Sequence, residues 1–173
     1  IKYLLTSLPI VMIISIILLV FLLQNTNSTN TSNFLLDENL PKFEIINLFN
    51  QNKKLSNDLI SNKQVIINFF ASWCAPCKEE HHLLVKLKNT YPKLMIIGID
   101  HKDTNSDAIK FLEDANNPYN YVGIDKDGKV GMKFGVLGLP ETFLTNDKDK
   151  IIYQHLGPLT EKIVKNEIEP LLQ

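Results

Sequence analysis

The chain has 173 residues, a formal net charge of −1 and a hydrophobic fraction of 45%. This composition suits one globular domain with appended segments. The near-neutral charge gives no basic surface for nucleic acid, and the sequence contains no arginine for the bidentate contacts that favour nucleotide binding. The two cysteines are three positions apart, so a disulfide between them closes almost no loop and adds little stability.

The N-terminal segment is predicted to anchor the chain in a membrane. Residues 4–23 are apolar and uncharged, and about 20 helical residues span the roughly 30 Å of hydrocarbon in a bilayer. The run is longer than a signal-peptide core and lacks a small-residue cleavage site, which favours an uncleaved anchor over residues 1–23. Lys2 precedes the run and the next lysine is Lys42, so the positive-inside rule places the rest of the chain on the outer side.

A linker and one domain are predicted to follow the anchor. Residues 24–33 are polar, uncharged and without periodicity, which indicates a flexible linker, and residues 34–173 form the domain. The predicted elements of this domain are a hairpin of residues 43–46 and 53–55, a short helix over 56–60, a strand over 64–70, a helix over 75–89, a strand over 94–99, a helix over 104–115, a hairpin of strands 141–145 and 150–155, and a helix over 160–172. A helix between two strands indicates a parallel pair and the last hairpin adds antiparallel strands. The fold class is therefore α/β, with a central mixed β-sheet flanked by helices.

The two cysteines belong to the motif Trp73-Cys74-Ala75-Pro76-Cys77, where a buried strand passes into an amphipathic helix. A helix N-terminus stabilises an anion through its unpaired N–H groups and its dipole, so Cys74 should be more acidic than a free thiol. We therefore expect Cys74 to be the nucleophile of disulfide exchange and Cys77, one turn further on, to resolve the mixed disulfide. The motif predicts a redox-active disulfide that needs no bound cofactor.

Metal and haem sites are the alternatives to a redox pair. A zinc site needs two more ligands, and although His81 and His82 lie nearby, there is no second cysteine pair. A haem attachment site needs a histidine directly after the second cysteine, where Lys78 stands. A copper site made of both cysteines and a distant histidine, His101 or His155, stays open on spacing alone. The placement between strand and helix favours redox exchange, with no metal.

Two residues beside the motif are candidates for supporting roles. Glu80 lies three residues after Cys77 and therefore on the same face of the helix. A carboxylate there raises the pKa of a buried thiol and can relay its proton, whereas the alternative is an ordinary acid in the first turn of a helix. Trp73 either gives an apolar docking edge beside the sulfur or belongs to the core.

The buried strand, the cysteine motif, its helix and the later Leu139-Pro140 together resemble the thioredoxin superfamily. The resemblance implies a thioredoxin-like fold in which Pro140 is cis and opposes the active disulfide. Leu139, Pro140 and Trp73 would then contact the substrate. Asn68 departs from the pattern, because thioredoxins proper carry a buried aspartate at this position, so another acid must take over proton transfer.

A narrower resemblance rests on residues 135–143, GVLGLPETF. This stretch is similar to the GVxGxPETF signature of the membrane-anchored thiol:disulfide interchange proteins of cytochrome c maturation, the CcmG/DsbE group. Three shorter segments also follow the pattern of that group: residues 77–81, 117–119 and 168–171. The resemblance implies that Glu80 and Glu141 line the active site, where they would tune thiol pKa values or relay protons.

The same resemblance implies a function and partners. The protein would be a periplasmic thiol:disulfide oxidoreductase, held by a single helix in the inner membrane and its lipid, with no nucleic acid partner. A membrane-embedded thiol-reducing transporter would supply its electrons, because a reductant in an oxidising compartment needs such a supply. Apocytochrome c or the haem-ligation components would accept them. A general reductase of exported proteins is the alternative, and a Cu(I)-binding or delivery protein is a weaker one.

Overall fold

The computed structural model describes residues 12–19 and 35–172 of the chain. By its internal contacts the chain divides into two units, Ile1–Ser32 and Asn33–Gln173.

In the first unit, residues 12–19 are helical and their side chains are exposed. No helix among the described residues has both the length and the apolar character needed to cross a membrane. Apart from this helical stretch, the anchor predicted over residues 1–23 lies outside the described residues. The predicted linker, residues 24–33, lies wholly outside them.

The second unit is built around a mixed β-sheet. The strands in its described part are β1 (Glu44–Asn47), β2 (Lys54–Ser56), β3 (Val65–Phe70), β4 (Met95–His101), β5 (Tyr121–Asp125), β6 (Glu141–Thr145) and β7 (Ile151–Leu156). They lie in the order β2-β1-β5-β4-β3-β6-β7. β4 runs parallel to β3 and to β5, and the other neighbouring pairs are antiparallel. The predicted central mixed sheet is confirmed.

β3 is the strand that leads into the cysteine motif, and all six of its residues are buried. Its β-branched and aromatic side chains suit a strand that packs on both faces. Asn68 is the exception in this apolar run, and its register partners are Gly98 on β4 and Thr142 on β6. A buried amide needs hydrogen-bond partners, and for Asn68 one of them comes from the helix that follows.

Helices cover both faces of the sheet, as the sequence predicts. They are α1 (Asn57–Ile60), α2 (Ala75–Thr90), α3 (Asn105–Asp114), α4 (Lys129–Lys133) and α5 (Glu161–Ile163), which continues as a π-helical segment (Val164–Ile168) and a 3-10 turn (Glu169–Leu171). α2, α3 and the C-terminal helical segment pack into one hydrophobic cluster that includes both cysteines, here called the cysteine-side cluster. α1 and α4 contribute to a second cluster, here called the opposite cluster. Ile66 and Phe70 of β3 belong to the first and Ile67 and Phe69 to the second, because side chains alternate along a strand.

Two observed elements were not predicted. β5 and α4 both lie between residues 116 and 139, where the sequence predicts only turns. Gly123 breaks the apolar pattern of β5, since glycine is a poor strand former. A Cβ atom at this position would collide with the Ile45 side chain on β1, so that side chain packs over Gly123 and would have to move if another residue stood there.

The C-terminal helix predicted over about residues 160–172 is present over residues 161–171, but it is not α-helical throughout. Only Glu161–Ile163 is α-helical, and the π-helical segment and the 3-10 turn complete the element. Pro170 lies in the 3-10 turn, and its missing N–H prevents the α-helical hydrogen-bond pattern from continuing through it.

Candidate active site

Cys74 and Cys77 form a disulfide at the first turn of α2, and their Cα atoms are 5.3 Å apart. Cys74 is the N-cap residue, and its Sγ accepts a hydrogen bond from the Cys77 backbone N–H over 3.2 Å. Pro76 lies in the same turn, where its missing N–H leaves no helical bond unmade. Once the disulfide is reduced, the Cys77 N–H and the helix dipole favour a thiolate on Cys74. The geometry supports Cys74 as the nucleophile.

Trp73 lies on the surface, with 61% of the residue exposed. Its Nε1–H donates a hydrogen bond to the Lys102 carbonyl oxygen over 3.1 Å. Of the two roles considered for Trp73, its position supports the docking edge and excludes the core.

The loop that precedes β6 contains a cis peptide bond between Leu139 and Pro140. Pro140 is buried, whereas Leu137 is 71% exposed. Leu139 packs against both the cysteine-side cluster and the opposite cluster. The loop therefore contacts the cluster to which Cys74 and Cys77 belong.

The side chain of Glu141 is hydrogen-bonded to the backbone of this loop. One carboxylate oxygen accepts a hydrogen bond from the Leu137 backbone N–H over 3.1 Å, and the other accepts one from Gln154 Nε2 over 2.7 Å. Burial raises the pKa of Glu141, while these donors favour its ionised form. Its register partner Phe69 belongs to the opposite cluster, so the Glu141 side chain lies on the other face of the sheet from the helix of the cysteines.

Asn68 is the centre of a buried hydrogen-bond network. Its Nδ2 donates to Glu80 Oε1 over 2.8 Å and to Thr142 Oγ1 over 3.0 Å, and its Oδ1 accepts from the Tyr119 hydroxyl over 2.7 Å. The second oxygen of Glu80 accepts from the Leu159 backbone N–H over 2.7 Å. Asn68 stands where thioredoxins proper carry an aspartate, and its side-chain amide holds the Glu80 carboxyl group through a hydrogen bond.

Glu80 is almost completely buried on the same face of α2 as Cys77. Burial raises the pKa of its carboxyl group to about 7, although the hydrogen bonds from Leu159 and Asn68 act in the opposite direction. At neutral pH both protonation states are then populated, which suits a group that accepts and returns a proton. The pKa of Tyr119 is raised well above its ordinary value, mainly by burial, so its hydroxyl remains a donor to Asn68.

Three of the four histidines considered as metal ligands have polar partners elsewhere, and the fourth, His155, stacks against Tyr153. The Nε2 of His81 lies 3.1 Å from the Asn116 carbonyl oxygen, and burial lowers the pKa of this ring. His82 lies against a backbone carbonyl of its own helix, and His101 Nδ1 lies 2.9 Å from Asp125. Within residues 12–19 and 35–172, no group of three or more His, Cys, Asp or Glu side chains is arranged to hold a metal ion.

A further buried carboxyl group, that of Asp100, lies where β4 ends and pairs in register with Phe70. Neither of its oxygens has a hydrogen-bond partner among the described residues. Burial, followed by the nearby carboxylates of Asp103 and Asp125, raises the pKa of Asp100 to about 8. Asp100 is therefore mostly neutral at pH 7.

The sequence does not single out Tyr119, Thr142 or Asp100 as site residues. Thr142 could have been found, because it follows the Pro140-Glu141 pair and belongs to a strand next to Asn68. Tyr119 belongs to the segment 117–119, which follows the family pattern, but that pattern does not indicate a role for its hydroxyl group.

Replacement of Glu80 by glutamine should change how stability depends on pH. Because the pKa of Glu80 rises from 4.5 to about 7 on folding, the folded state binds this proton more tightly. The proton on Glu80 stabilises the folded state by about 3 kcal/mol below pH 4.5, and this stabilisation is lost as the pH rises through 7. Urea unfolding at pH 4 and pH 8 measures it: the free energy of unfolding of Glu80→Gln relative to wild type should rise by about that amount between the two pH values.

The exposed neighbour Glu79 provides the matched control. The difference between Glu79→Gln and wild type should stay within about 0.5 kcal/mol at both pH values, as is usual for exposed substitutions. If the free energy of unfolding changed with pH in the same way for wild type and Glu80→Gln, the pKa of Glu80 would not be raised on folding.

Comparisons with known proteins agree with this geometry. The family model described as Redoxin matches residues 36–172. The chain is 42% identical over 115 residues to the thiol:disulfide interchange protein HelX of Rhodobacter capsulatus, and that match covers 66% of this chain and 64% of HelX. It is 34% identical over 174 residues to the thiol:disulfide interchange protein DsbE of Escherichia coli K12, and that match covers 98% of this chain and 93% of DsbE.

A solved structure gives the same result for the fold. The thioredoxin domain of a thiol-disulfide oxidoreductase from Bacteroides vulgatus superposes with a TM-score of 0.69 at 21% identity, and the match covers 80% of this chain and 98% of that one. The resemblance to the thioredoxin superfamily and to the CcmG/DsbE group is confirmed by these matches. The chain belongs to the Redoxin family and, among its members, to the thiol:disulfide interchange proteins.

Proposed function

We propose that the protein is a thiol:disulfide oxidoreductase that acts as a reductant in cytochrome c maturation. One observation carries this proposal. The Cys74–Cys77 disulfide stands at the start of α2, and Leu139 of the cis-Pro140 loop packs against the cluster that includes both cysteines; this loop belongs to the GVLGLPETF stretch of residues 135–143. The matches to thiol:disulfide interchange proteins support the same function.

Reduction of a substrate disulfide proceeds in two exchanges. The Cys74 thiolate attacks one sulfur of the substrate, an S–S bond forms between them, and the other substrate sulfur leaves as a thiolate and takes up a proton. The Cys77 thiolate then attacks Cys74, the intramolecular disulfide forms again, and the first substrate sulfur leaves and is protonated. The protein loses two electrons and the substrate gains them.

Glu80 is proposed to accept the proton that Cys77 must lose before the second exchange. The two residues lie three positions apart on the buried face of α2, where bulk water does not reach. A carboxyl group with a pKa of about 7 is closely matched to a thiol as a proton acceptor. Glu141 is proposed to act on the reaction through the cis-Pro140 loop that it holds.

The location proposed for the domain is the periplasmic side of the inner membrane. Its support is the apolar, uncharged run of residues 4–23, flanked by Lys2 and followed by a lysine-free stretch up to Lys42. In that oxidising compartment the dithiol needs an electron supply from inside, which a membrane-embedded thiol-reducing transporter would give. Apocytochrome c or its haem-ligation components are the proposed acceptors.

The reduction potential of the Cys74–Cys77 pair tests the direction of electron flow. A reductant should have a potential near or below about −270 mV, the value of thioredoxin. Equilibration of the purified chain with glutathione or dithiothreitol buffers, read out by thiol alkylation, gives this value. A potential near about −120 mV, that of a strong oxidant, would contradict the proposed direction.

Replacement of Cys77 by serine tests the partners. The variant should form a mixed disulfide on Cys74 that cannot be resolved, so that apocytochrome c or a haem-ligation component is captured and can be identified by mass spectrometry. Cys74→Ser, which lacks the nucleophile, is the control and should capture neither. Capture of only unrelated exported proteins would contradict the role in cytochrome c maturation and favour a general reductase.

A further inference from the structure

Two hydrogen bonds tie the loop before the cysteines to the turn between β4 and α3. The Ser72 backbone N–H donates to Asp103 Oδ2 over 2.6 Å, and the Trp73 Nε1–H donates to the Lys102 carbonyl oxygen over 3.1 Å. The partners are 31 and 29 residues apart in sequence. Residues 102 and 103, called here the 102–103 turn, therefore contact the two residues directly before Cys74.

The 102–103 turn is itself firmly held. Lys102 has a φ of +52°, in the left-handed region that is unfavourable for a residue with a side chain. Its N–H donates to the Asp125 carbonyl oxygen over 3.1 Å, which fixes this conformation. The other oxygen of Asp103 accepts from the Thr104 backbone N–H over 2.7 Å, at the residue that caps α3. Local strain that is held in this way is typical of functional positions.

Asp103 is a buried carboxylate that uses both of its oxygens. A carboxylate can accept at both oxygens, whereas an amide of the same shape has one acceptor and presents its NH2 group to the other donor. Aspartate is therefore the residue that satisfies Ser72 and Thr104 together. The carboxyl group of Asp100 lies close to that of Asp103, but the hydrogen bonds to Ser72 and Thr104 are made by Asp103.

The hydrogen bonds from Ser72 to Asp103 and from Trp73 to Lys102 fix the direction in which the indole ring of Trp73 points. An indole has a single N–H donor, and here that donor bonds to Lys102. With 61% of Trp73 exposed, packing alone does not immobilise the ring. On the other side, the Cys74 N–H bonds to the Ala71 carbonyl oxygen over 3.2 Å, so the loop between Ala71 and Cys74 is fixed at both ends.

We propose that Asp103 is a positioning residue for disulfide exchange, which holds the Ser72-Trp73 segment so that the Trp73 ring forms a fixed wall beside the Cys74 sulfur for a peptide substrate. The inference rests on the proposed function and names a determinant of its substrate class. A peptide disulfide approaches along that wall and gains from a preorganised contact surface. A small disulfide such as oxidised glutathione needs only access to the sulfur and gains little from it.

The test compares Asp103→Ala and Asp103→Asn with wild type and with Asp107→Asn. Asp107 accepts a hydrogen bond from the Thr104 hydroxyl and belongs to the same helix start, but the hydrogen bonds of Ser72 and Trp73 described above go to Asp103 and Lys102 and not to Asp107. Fluorescence anisotropy of Trp73, the single tryptophan of the chain, reports on the ring itself. Second-order rates of the reduced chain with oxidised glutathione and with an oxidised Cys-x-x-Cys-His peptide report on exchange.

Both Asp103 variants should show lower Trp73 anisotropy than wild type, and Asp107→Asn should not. Their rate with the peptide should fall about tenfold while the rate with oxidised glutathione stays within about twofold. Trp73→Phe, which removes the indole N–H, should lower the peptide rate too, and adding Asp103→Ala should lower it little further, because the two changes act through one contact. Asp103→Ser is the substitute if the alanine variant does not fold.

Wild-type anisotropy and an unchanged ratio of the two rates in the folded Asp103 variants would overturn the inference. An equal effect in Asp107→Asn would overturn it as well, since loosening of α3 would then explain the result. If wild type itself fails to reduce the peptide, the proposed function fails. The anisotropy measurements still decide whether Asp103 holds Trp73, and unchanged values there would overturn the positioning role independently.

Discussion

The hydrogen bond from the Asn68 amide to the Glu80 carboxyl group is the interaction on which the rest of the site depends. Burial of an amide in an otherwise apolar strand is favourable only when its polar atoms have partners. Glu80 and Thr142 accept from its nitrogen and Tyr119 donates to its oxygen. An aspartate at this position would place two carboxyl groups against each other. The amide is what allows Glu80 to be buried on the face of α2 that carries Cys77.

Glu80 and Glu141, the two glutamates that the family resemblance places at the active site, lie on opposite faces of the sheet and have different hydrogen-bond partners. Glu80 reaches from α2 to Asn68 on β3 and lies three residues after Cys77 on the buried face of the helix. Glu141 lies on the opposite face and uses its carboxylate to hold the backbone of the cis-Pro140 loop. Burial raises both pKa values. Of the two, Glu80 is the one on the face of α2 that carries Cys77, and this is why we propose the proton-accepting role for Glu80 and the loop-holding role for Glu141.

The sequence predicts the features that depend on local patterns. The apolar run of β3, the start of α2 at the cysteines and the final hairpin follow from periodicity and from helix and turn signals, and the cis peptide bond at Pro140 follows from the resemblance. The sequence could not predict contacts that depend on the order of strands in the sheet. Tyr119 and Asn68 are 51 residues apart, and the apolar pattern of β5, which begins two residues after Tyr119, is broken by Gly123. The contact between Asp103 and Ser72 likewise requires β3 and β4 to end at one edge.

The pKa of the Glu80 carboxyl group tests the central claim most directly. Carbon-13 NMR titration of the side-chain carboxyl groups between pH 4 and pH 9, with the Glu80 resonance assigned from its absence in Glu80→Gln, measures this value for a single group. We expect a pKa of about 7 in the oxidised protein. A value near 4.5, the ordinary pKa of a glutamate, would show that Glu80 is too weak a base to take the proton of Cys77.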